Sequence, residues 1–142
     1  MSERVEQFVA MYQRLDKNSL SLLDDIYDKD IHFMDPLHEV RGLDSLYKYF
    51  ANMYANVSSC AFNISEFYEL DETAFIYWTM TYRHPRINGG REVEVKGHSL
   101  LRFANDKVIF HRDYFDVGEL LYRRLPVINK LIKMIDKRAG SS

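Results

Sequence analysis

Two aspartates in this chain occupy strand-like positions where a carboxylate is costly, and they are its strongest candidates for chemistry. The first, Asp113, lies in Lys107-Val108-Ile109-Phe110-His111-Arg112-Asp113-Tyr114-Phe115-Asp116. This β-branched and aromatic run reads as a strand. Alternation puts Ile109, His111, Asp113 and Phe115 on one side, and Val108, Phe110, Arg112 and Tyr114 on the other. A strand does not bury an unpaired carboxylate cheaply, so Asp113 must meet a cation, a hydrogen-bond donor or a solvated cavity, or else hold a proton. Two readings follow with equal weight: a pocket in which Asp113 moves protons, or an Arg112 or His111 partner that serves architecture alone.

The second, Asp35, closes Asp30-Ile31-His32-Phe33-Met34-Asp35-Pro36, where Ile31, Phe33 and Asp35 share a face. The proline removes a backbone donor, ends strand pairing and restricts Asp35 to extended geometry. The spacing of His32, Asp35 and His38 resembles a ligand set, but on a strand His32 and Asp35 point to opposite faces, so no metal site is expected. In Phe75-Ile76-Tyr77-Trp78-Thr79-Met80-Thr81-Tyr82, the side carrying Trp78, Met80 and Tyr82 is large and soft, suited to lining a cavity. Taken singly, each of these is more often part of a packed core than of a cavity wall.

These positions require a scaffold. Val5, Phe8, Val9, Tyr12 and Leu15 recur at helical spacing and predict a helix over residues 3–16, with Tyr12 on its inner face. Asn18 or Ser19 caps a second helix expected to run to about Tyr27. Gly42 frees the backbone for a third helix over 43–56, with Leu43, Leu46, Tyr47, Phe50 and Tyr54 inward. From about residue 60 the period is two, predicting long strands over 61–70, 73–84, 91–103 and the Asp113 run. Asp71-Glu72, Asn88-Gly89-Gly90 and Asn105-Asp106 supply the turns of an antiparallel meander. After Gly118 an apolar helical pattern returns with Leu120, Leu121, Leu125, Val127, Ile128, Leu131, Ile132 and Ile135, interrupted near Pro126, with Lys130, Lys133, Lys137 and Arg138 on its outside.

The 142 residues, 46% hydrophobic and 14% aromatic, suit a single folded domain. We divide them into a body, residues 1–116, and a C-terminal basic helical extension of the same domain, residues 117–142. The net charge of −2 argues against a nucleic-acid partner. That charge is split: the body carries 13 Lys and Arg against 19 Asp and Glu, and the extension six against two. The basic tail is placed to cover a cavity mouth, pack on a second subunit or rest on an anionic membrane surface. A lone Cys60 excludes an internal disulfide, which, with no signal peptide or spanning segment in view, leads us to expect a cytoplasmic protein. We find no glycine-rich phosphate loop, Ser-His-Asp motif or internal repeat.

The order of three helices, a short strand and four long strands resembles the nuclear transport factor 2-like (SnoaL-like) superfamily over nearly the whole chain. Phe33-Met34-Asp35-Pro36, with Gly42 opening the next helix, is similar to the ketosteroid isomerases. That resemblance puts a general-base Asp on Asp35, an oxyanion-binding Tyr on Tyr12 and the isomerases' second, protonated oxyanion Asp on Ser99. Arg112-Asp113-Tyr114-Phe115-Asp116 resembles the last strand of limonene-type epoxide hydrolases, whose catalytic Asp corresponds to Asp113. It turns His111, Asp113 and Phe115 toward the cavity. The hydrolases' Arg, second Asp and water-holding Asn fall on Met80, Tyr82 and Asp35, so neither catalytic set is complete.

The resemblance implies an α+β cone, a curved antiparallel sheet wrapped around three N-terminal helices, with one apolar pocket. We expect catalytic roles for Asp35, Asp113, Tyr12 and His111, and substrate contacts from Trp78, Met80, Tyr82, Ser99 and Phe115. The expected activity is that of an isomerase, cyclase or hydrolase acting on an apolar steroid-, terpenoid-, polyketide- or lipid-like molecule without metal or organic cofactor. The other reading is a ligand- or protein-binding module of the same fold with no chemistry. A homodimer is expected through the outer sheet face, where parity collects Phe75, Tyr77, Phe110 and Tyr114.

Overall fold

The apolar spacing near the N-terminus forms helix α1 (Glu3–Arg14), which buries Val5, Phe8, Met11 and Tyr12. In the computed structural model, which describes residues 2–141, a 3₁₀ turn (Leu20–Leu22) leads into the single-turn α2 (Leu23–Ile26). The expected second helix thus stops before Tyr27, which opens strand β1 (Tyr27–Met34) and pairs with Val108. One more residue on so short a helix gains less than a ladder partner and a buried aromatic ring.

After β1, the turn at Pro36 sends the chain back as a short strand, β2 (Glu39–Arg41), antiparallel to β1. Sequence pattern had not revealed it, because three residues are too few to establish a period. Helix α3 (Leu43–Asn56) starts at Gly42, whose φ of 91° lies in the region that side chains avoid. Its inward face carries Leu46, Phe50 and Tyr54, with Tyr49 and Met53 packed beside them. Tyr47, expected inward, is exposed, because it sits one residue round the helix from Leu46 and off the face that Leu46, Tyr49, Phe50 and Met53 share.

Strands β3 (Ser59–Leu70), β4 (Thr73–Arg83), β5 (Val93–Ala104) and β6 (Lys107–Phe115) form the expected meander. With β1 and β2 they make a six-stranded mixed sheet ordered β2-β1-β6-β5-β4-β3, in which β1 runs parallel to β6 and the other pairs are antiparallel. Asn105 and Asp106 both have positive φ (51° and 64°), as a tight two-residue hairpin turn requires. The sheet is curved and unclosed, and Phe8, Tyr12, Phe33, Phe50, Trp78 and Leu101 meet in one core on its helix-covered side.

Strict alternation fails in β6. Arg102 pairs with Phe110 and Phe103 with Val108, so Ile109 is the extra residue of a bulge. Val108 and His111 are therefore both fully buried, while Ile109, expected on the His111 side, is 38% exposed. Beyond the bulge alternation resumes, with Asp113 inward and Arg112 outward, its guanidinium 4.9 Å from the centre of the Tyr114 ring. The outer face also stacks His98 between Tyr77 and Tyr114, at 5.2 and 4.9 Å, while Phe75 and Phe110 are half-buried.

Beyond the sheet come α4 (Val117–Leu120), a 3₁₀ turn (Tyr122–Arg124) and α5 (Pro126–Gly140). Pro126 opens α5 instead of interrupting a longer helix, as its preset φ favours at a first turn. The side chain of Val127, part of the apolar pattern noted above, and that of Arg123 lie outside the described set. Among the described residues no helix is long and apolar enough to cross a membrane.

Gly97 faces Trp78 across the β4–β5 ladder, and the indole occupies the space a side chain would take. A Cβ there would lie 2.5 Å from the Trp78 ring and 2.6 Å from the Tyr114 carbonyl oxygen. Gly97→Ala is expected to lower stability by about 1–3 kcal/mol, the usual cost of overpacking. Urea denaturation followed by Trp78 fluorescence will show it as a reduced midpoint; an unchanged midpoint would mean that the indole moves aside freely.

Candidate active site

Asp113 is carried by β6 into the concave side of the sheet, where it is only 8% exposed. Such burial demands donors, and two neighbours on the same sheet supply them. Ser99, opposite Asp113 on β5, donates its hydroxyl to Oδ1 at 2.5 Å. His111, two residues back on the same strand, places Nε2 2.6 Å from the same oxygen. The Trp78 Nε1–H donates to Ser99 Oγ at 2.9 Å. An indole N–H can only donate, so the Ser99 hydroxyl is committed to giving its own proton to Asp113. Oδ1 is therefore an acceptor, and a neutral His111 ring facing it carries its proton on Nε2. Its Nδ1 is then the acceptor for the Tyr27 hydroxyl, 2.8 Å away. Phe8, Tyr12, Tyr27 and Phe33 enclose the imidazole, with ring centres 4.7–5.9 Å from it.

The consequence lies at the other carboxylate oxygen. Among the described residues Oδ2 has no hydrogen-bond partner, and Asp113 forms part of a cavity wall. With Oδ1 wired to donors, Oδ2 is the oxygen left open to a further partner.

That cavity measures about 180 Å³ and is overwhelmingly apolar. Tyr12, Phe62, Trp78, Met80, Phe115, Met53 and Cys60 share its wall with Asp113, and Leu37, His38 and Leu120 also line it. Burial pushes the Tyr12 hydroxyl well above the ordinary phenol range, with Tyr27 and the Asp113 charge adding to it; Tyr27 is raised by burial and then by Asp113. Both remain protonated donors at neutral pH.

Asp35 also lines the cavity, in a different state. Its Oδ1 accepts the backbone N–H groups of Leu37 and His38, each at 2.7 Å, and its Oδ2 accepts the Tyr49 hydroxyl at 2.7 Å. His38 Nδ1 lies 3.0 Å from Oδ1. Burial, and then the Asp35 charge, hold the Tyr49 hydroxyl far above its ordinary range, so it stays a donor. Asp35 thus closes the turn into β2 with both oxygens engaged.

Of the residues named from sequence, Tyr12, Asp35, Trp78, Met80, Tyr82, Asp113 and Phe115 meet at the cavity. Ser99 and His111 sit one layer behind it, fully buried, and touch Asp113 instead of the space. Tyr82 also bonds through its hydroxyl to the Leu120 carbonyl, fastening α4 to the wall. Tyr27 and Tyr49 were missed. Tyr49 lies three residues from Leu46 on the inner face of α3, a signal the spacing did contain, whereas Tyr27 was assigned to a helix and so lost its facing. His32 turns away to Glu39, 2.9 Å distant, and no described cluster of His, Cys, Asp or Glu is arranged to hold a metal ion.

A family model described as the SnoaL-like domain matches residues 5–111. A nuclear transport factor 2-like protein of unknown function from Burkholderia pseudomallei is 18% identical, with a TM-score of 0.75 over 84% of this chain and 95% of its own. A protein described as a SnoaL-like polyketide cyclase, from Shewanella putrefaciens, is 18% identical with a TM-score of 0.73, covering 89% of this chain and 98% of its own. An LEH-like epoxide hydrolase from M. tuberculosis is 17% identical with a TM-score of 0.67, covering 88% and 91%. At such identities these likenesses speak for the fold alone. No curated protein is similar enough in sequence to count as a relative.

Cys60 provides a probe of the cavity. Burial pushes its thiol up to about 12 from 9.0, which leaves it protonated at pH 8. Alkylation of the folded protein by iodoacetamide is expected to run about a thousandfold slower than in urea, in proportion to the thiolate fraction. A cavity ligand should slow it further; equal folded and unfolded rates would contradict the enclosed wall.

Proposed function

The chain belongs to the SnoaL-like domain family, and from that footing we propose that it is an acid–base enzyme, an isomerase, cyclase or hydrolase, acting on a small apolar molecule without a cofactor. One observation carries the reading: a nearly buried carboxylate on the wall of an apolar cavity has one oxygen fixed by donors, while the other has no hydrogen-bond partner among the described residues. A carboxylate needed only for architecture would have both oxygens engaged, as Asp35 does. In the reaction class we favour, Asp113 Oδ2 takes a proton from a carbon beside a carbonyl. The electron pair passes to the carbonyl oxygen, for which Tyr12 on the cavity wall is the candidate donor, and the proton returns from Oδ2 to the product. His111 and Ser99 act as positioning residues, since they hold Oδ1 and touch no substrate. In a hydrolase the same oxygen would instead take a proton from water as the water oxygen bonds to an epoxide carbon; the ring C–O bond breaks, and the alkoxide it leaves takes up a proton, giving a diol. Asp35 is assigned to shaping the rim.

Cavity size narrows the substrate. About 180 Å³ is close to the ~150 Å³ that holds a benzene ring in engineered apolar cavities. A single ring or a branched chain end fits inside, and the rest of a longer molecule would extend through the mouth. Polyketide and terpenoid substrates suit this better than a fully enclosed four-ring steroid.

The test is a panel of apolar ketones and epoxides screened by thermal shift, with hits assayed for turnover by mass spectrometry. Asp113→Asn is expected to lower turnover about a hundredfold or more, the scale of acid–base catalysis, while ligand binding survives. Asp35→Asn should chiefly lower stability, because its amide cannot accept from all of its present donors. If hits bind but none turns over, or if Asp113→Asn turns over normally, the cavity is a binding site.

The reading includes a homodimer through the outer sheet face, supported by the exposed Tyr77 and Tyr114 stacked on His98. Sedimentation equilibrium at micromolar concentration should return a dimer, and Tyr77→Lys should shift it toward monomer; a wild-type monomer would count against it.

A further inference from the structure

Helix α5 carries an apolar stripe that the described residues leave largely uncovered. Ile128, Leu131, Met134 and Ile135 are 41%, 55%, 68% and 66% exposed, among the largest apolar exposures of the described residues. Ile128, Leu131 and Ile135 fall at spacings of three and four, and so lie along one side. Lys130, Lys133 and Lys137 repeat the same spacing two residues later. Two residues are a little over half a turn, so the lysines line the opposite side. Arg138 adds charge in the last turn. The only acid in α5 is Asp136, leaving the helix net +3, whereas residues 1–116 total −6.

From this arrangement we infer that α5 is a membrane-surface helix, which lays its Ile128–Leu131–Ile135 stripe into the headgroup region of an anionic bilayer while its lysines reach the lipid phosphates and carboxylates. The charge pattern selects this occupant. A protein groove needs only the apolar stripe, and the lysines opposite it would face solvent to no effect. At an anionic surface each contributes, by electrostatic attraction and by extending its stem along the interface. The helix is too short to span, so it lies in the plane. A second copy offers the same surfaces that this chain's own α5 leaves unused, although they are tethered beside it. The acidic body is repelled by the same lipids, so contact is confined to the tail.

The placement also bears on the pocket. Leu120 lines the cavity and is tied to Tyr82, and the chain passes from it to Pro126 through one 3₁₀ turn. A docked α5 would therefore hold that wall close to the bilayer, where molecules suited to an apolar cavity concentrate. This consequence rests on the function proposed above; the docking does not.

The experiment is flotation of the 142-residue chain with phosphatidylcholine vesicles made with and without phosphatidylserine, at low and high salt. Wild type should float with the anionic vesicles, much less with the neutral ones, and be released by salt. Lys130→Glu/Lys133→Glu/Lys137→Glu should lower partitioning by about a hundredfold or more. Leu131→Asp/Ile135→Asp should abolish it with every lysine in place. Neither set touches the core, and unchanged melting together with retained ligand-panel binding will confirm an intact fold. The inference fails if wild type ignores anionic vesicles at low salt, if neutral and anionic vesicles serve equally, or if the Leu131→Asp/Ile135→Asp protein floats like wild type. Loss of a wild-type oligomer in that variant, with no vesicle binding by wild type, would assign the stripe to a second copy. Because flotation needs no turnover, its failure leaves the enzyme reading untouched, and the reverse also holds.

Discussion

A carboxylate that has lost nearly all of its water sets the terms for this structure. Asp113 can stay on the concave side of the sheet only if its charge or its proton is met by donors, and those donors are themselves buried and need partners. Ser99 is satisfied by Trp78 and His111 by Tyr27, so the requirement passes from β6 to β5, β4 and β1. Four strands are thereby fixed to one another by side chains as well as by their ladders. A slip of one residue between β5 and β6 would turn Ser99 to the outer face and leave both Trp78 and Asp113 without it.

Two local irregularities make the arrangement possible. The bulge at Ile109 lets Val108 fill the core beside β1 while His111 and Asp113 still point inward; without the extra residue one of the two sets would face out. Gly97 removes a side chain where the Trp78 indole must lie to reach Ser99. Both departures from ideal strand structure are positioned where they aim a polar group, and the intervening ladder is regular.

The two carboxylates show how context separates residues of one type. Asp35 precedes a proline at the end of a strand, where the turning backbone presents free N–H groups, and it collects two of them along with Tyr49. Asp113 lies in mid-strand, where the neighbouring N–H groups are used in the ladder, so only side chains remain to serve it, and they reach one oxygen. The same division of environment separates the acidic body, which packs around a core, from the basic tail, whose apolar side is left to the outside.

Much of this was determined by the sequence. Helical spacing gave α1 and α3, period two gave the four long strands, and Gly42, Asn105-Asp106 and Asp71 marked turns that do adopt positive φ. Family resemblance, carried by the order of these elements, gave the fold, and the motifs around Asp35 and Asp113 named most of the residues that meet at the cavity. Periodicity is a local property, so these features survive in the one-dimensional string. Tertiary structure decided the rest: that Tyr27 starts a strand, that Ile109 is extruded, that β2 exists, and that Ser99 and His111 stand behind Asp113 instead of in the cavity. Each of these depends on a partner distant in the chain, the β1–β6 pairing above all, and a periodic pattern carries no record of which strand will lie beside it. The opposite fates of Asp35 and Asp113 belong to the same class, since the number of donors reaching a carboxylate is set by the neighbours the fold brings to it.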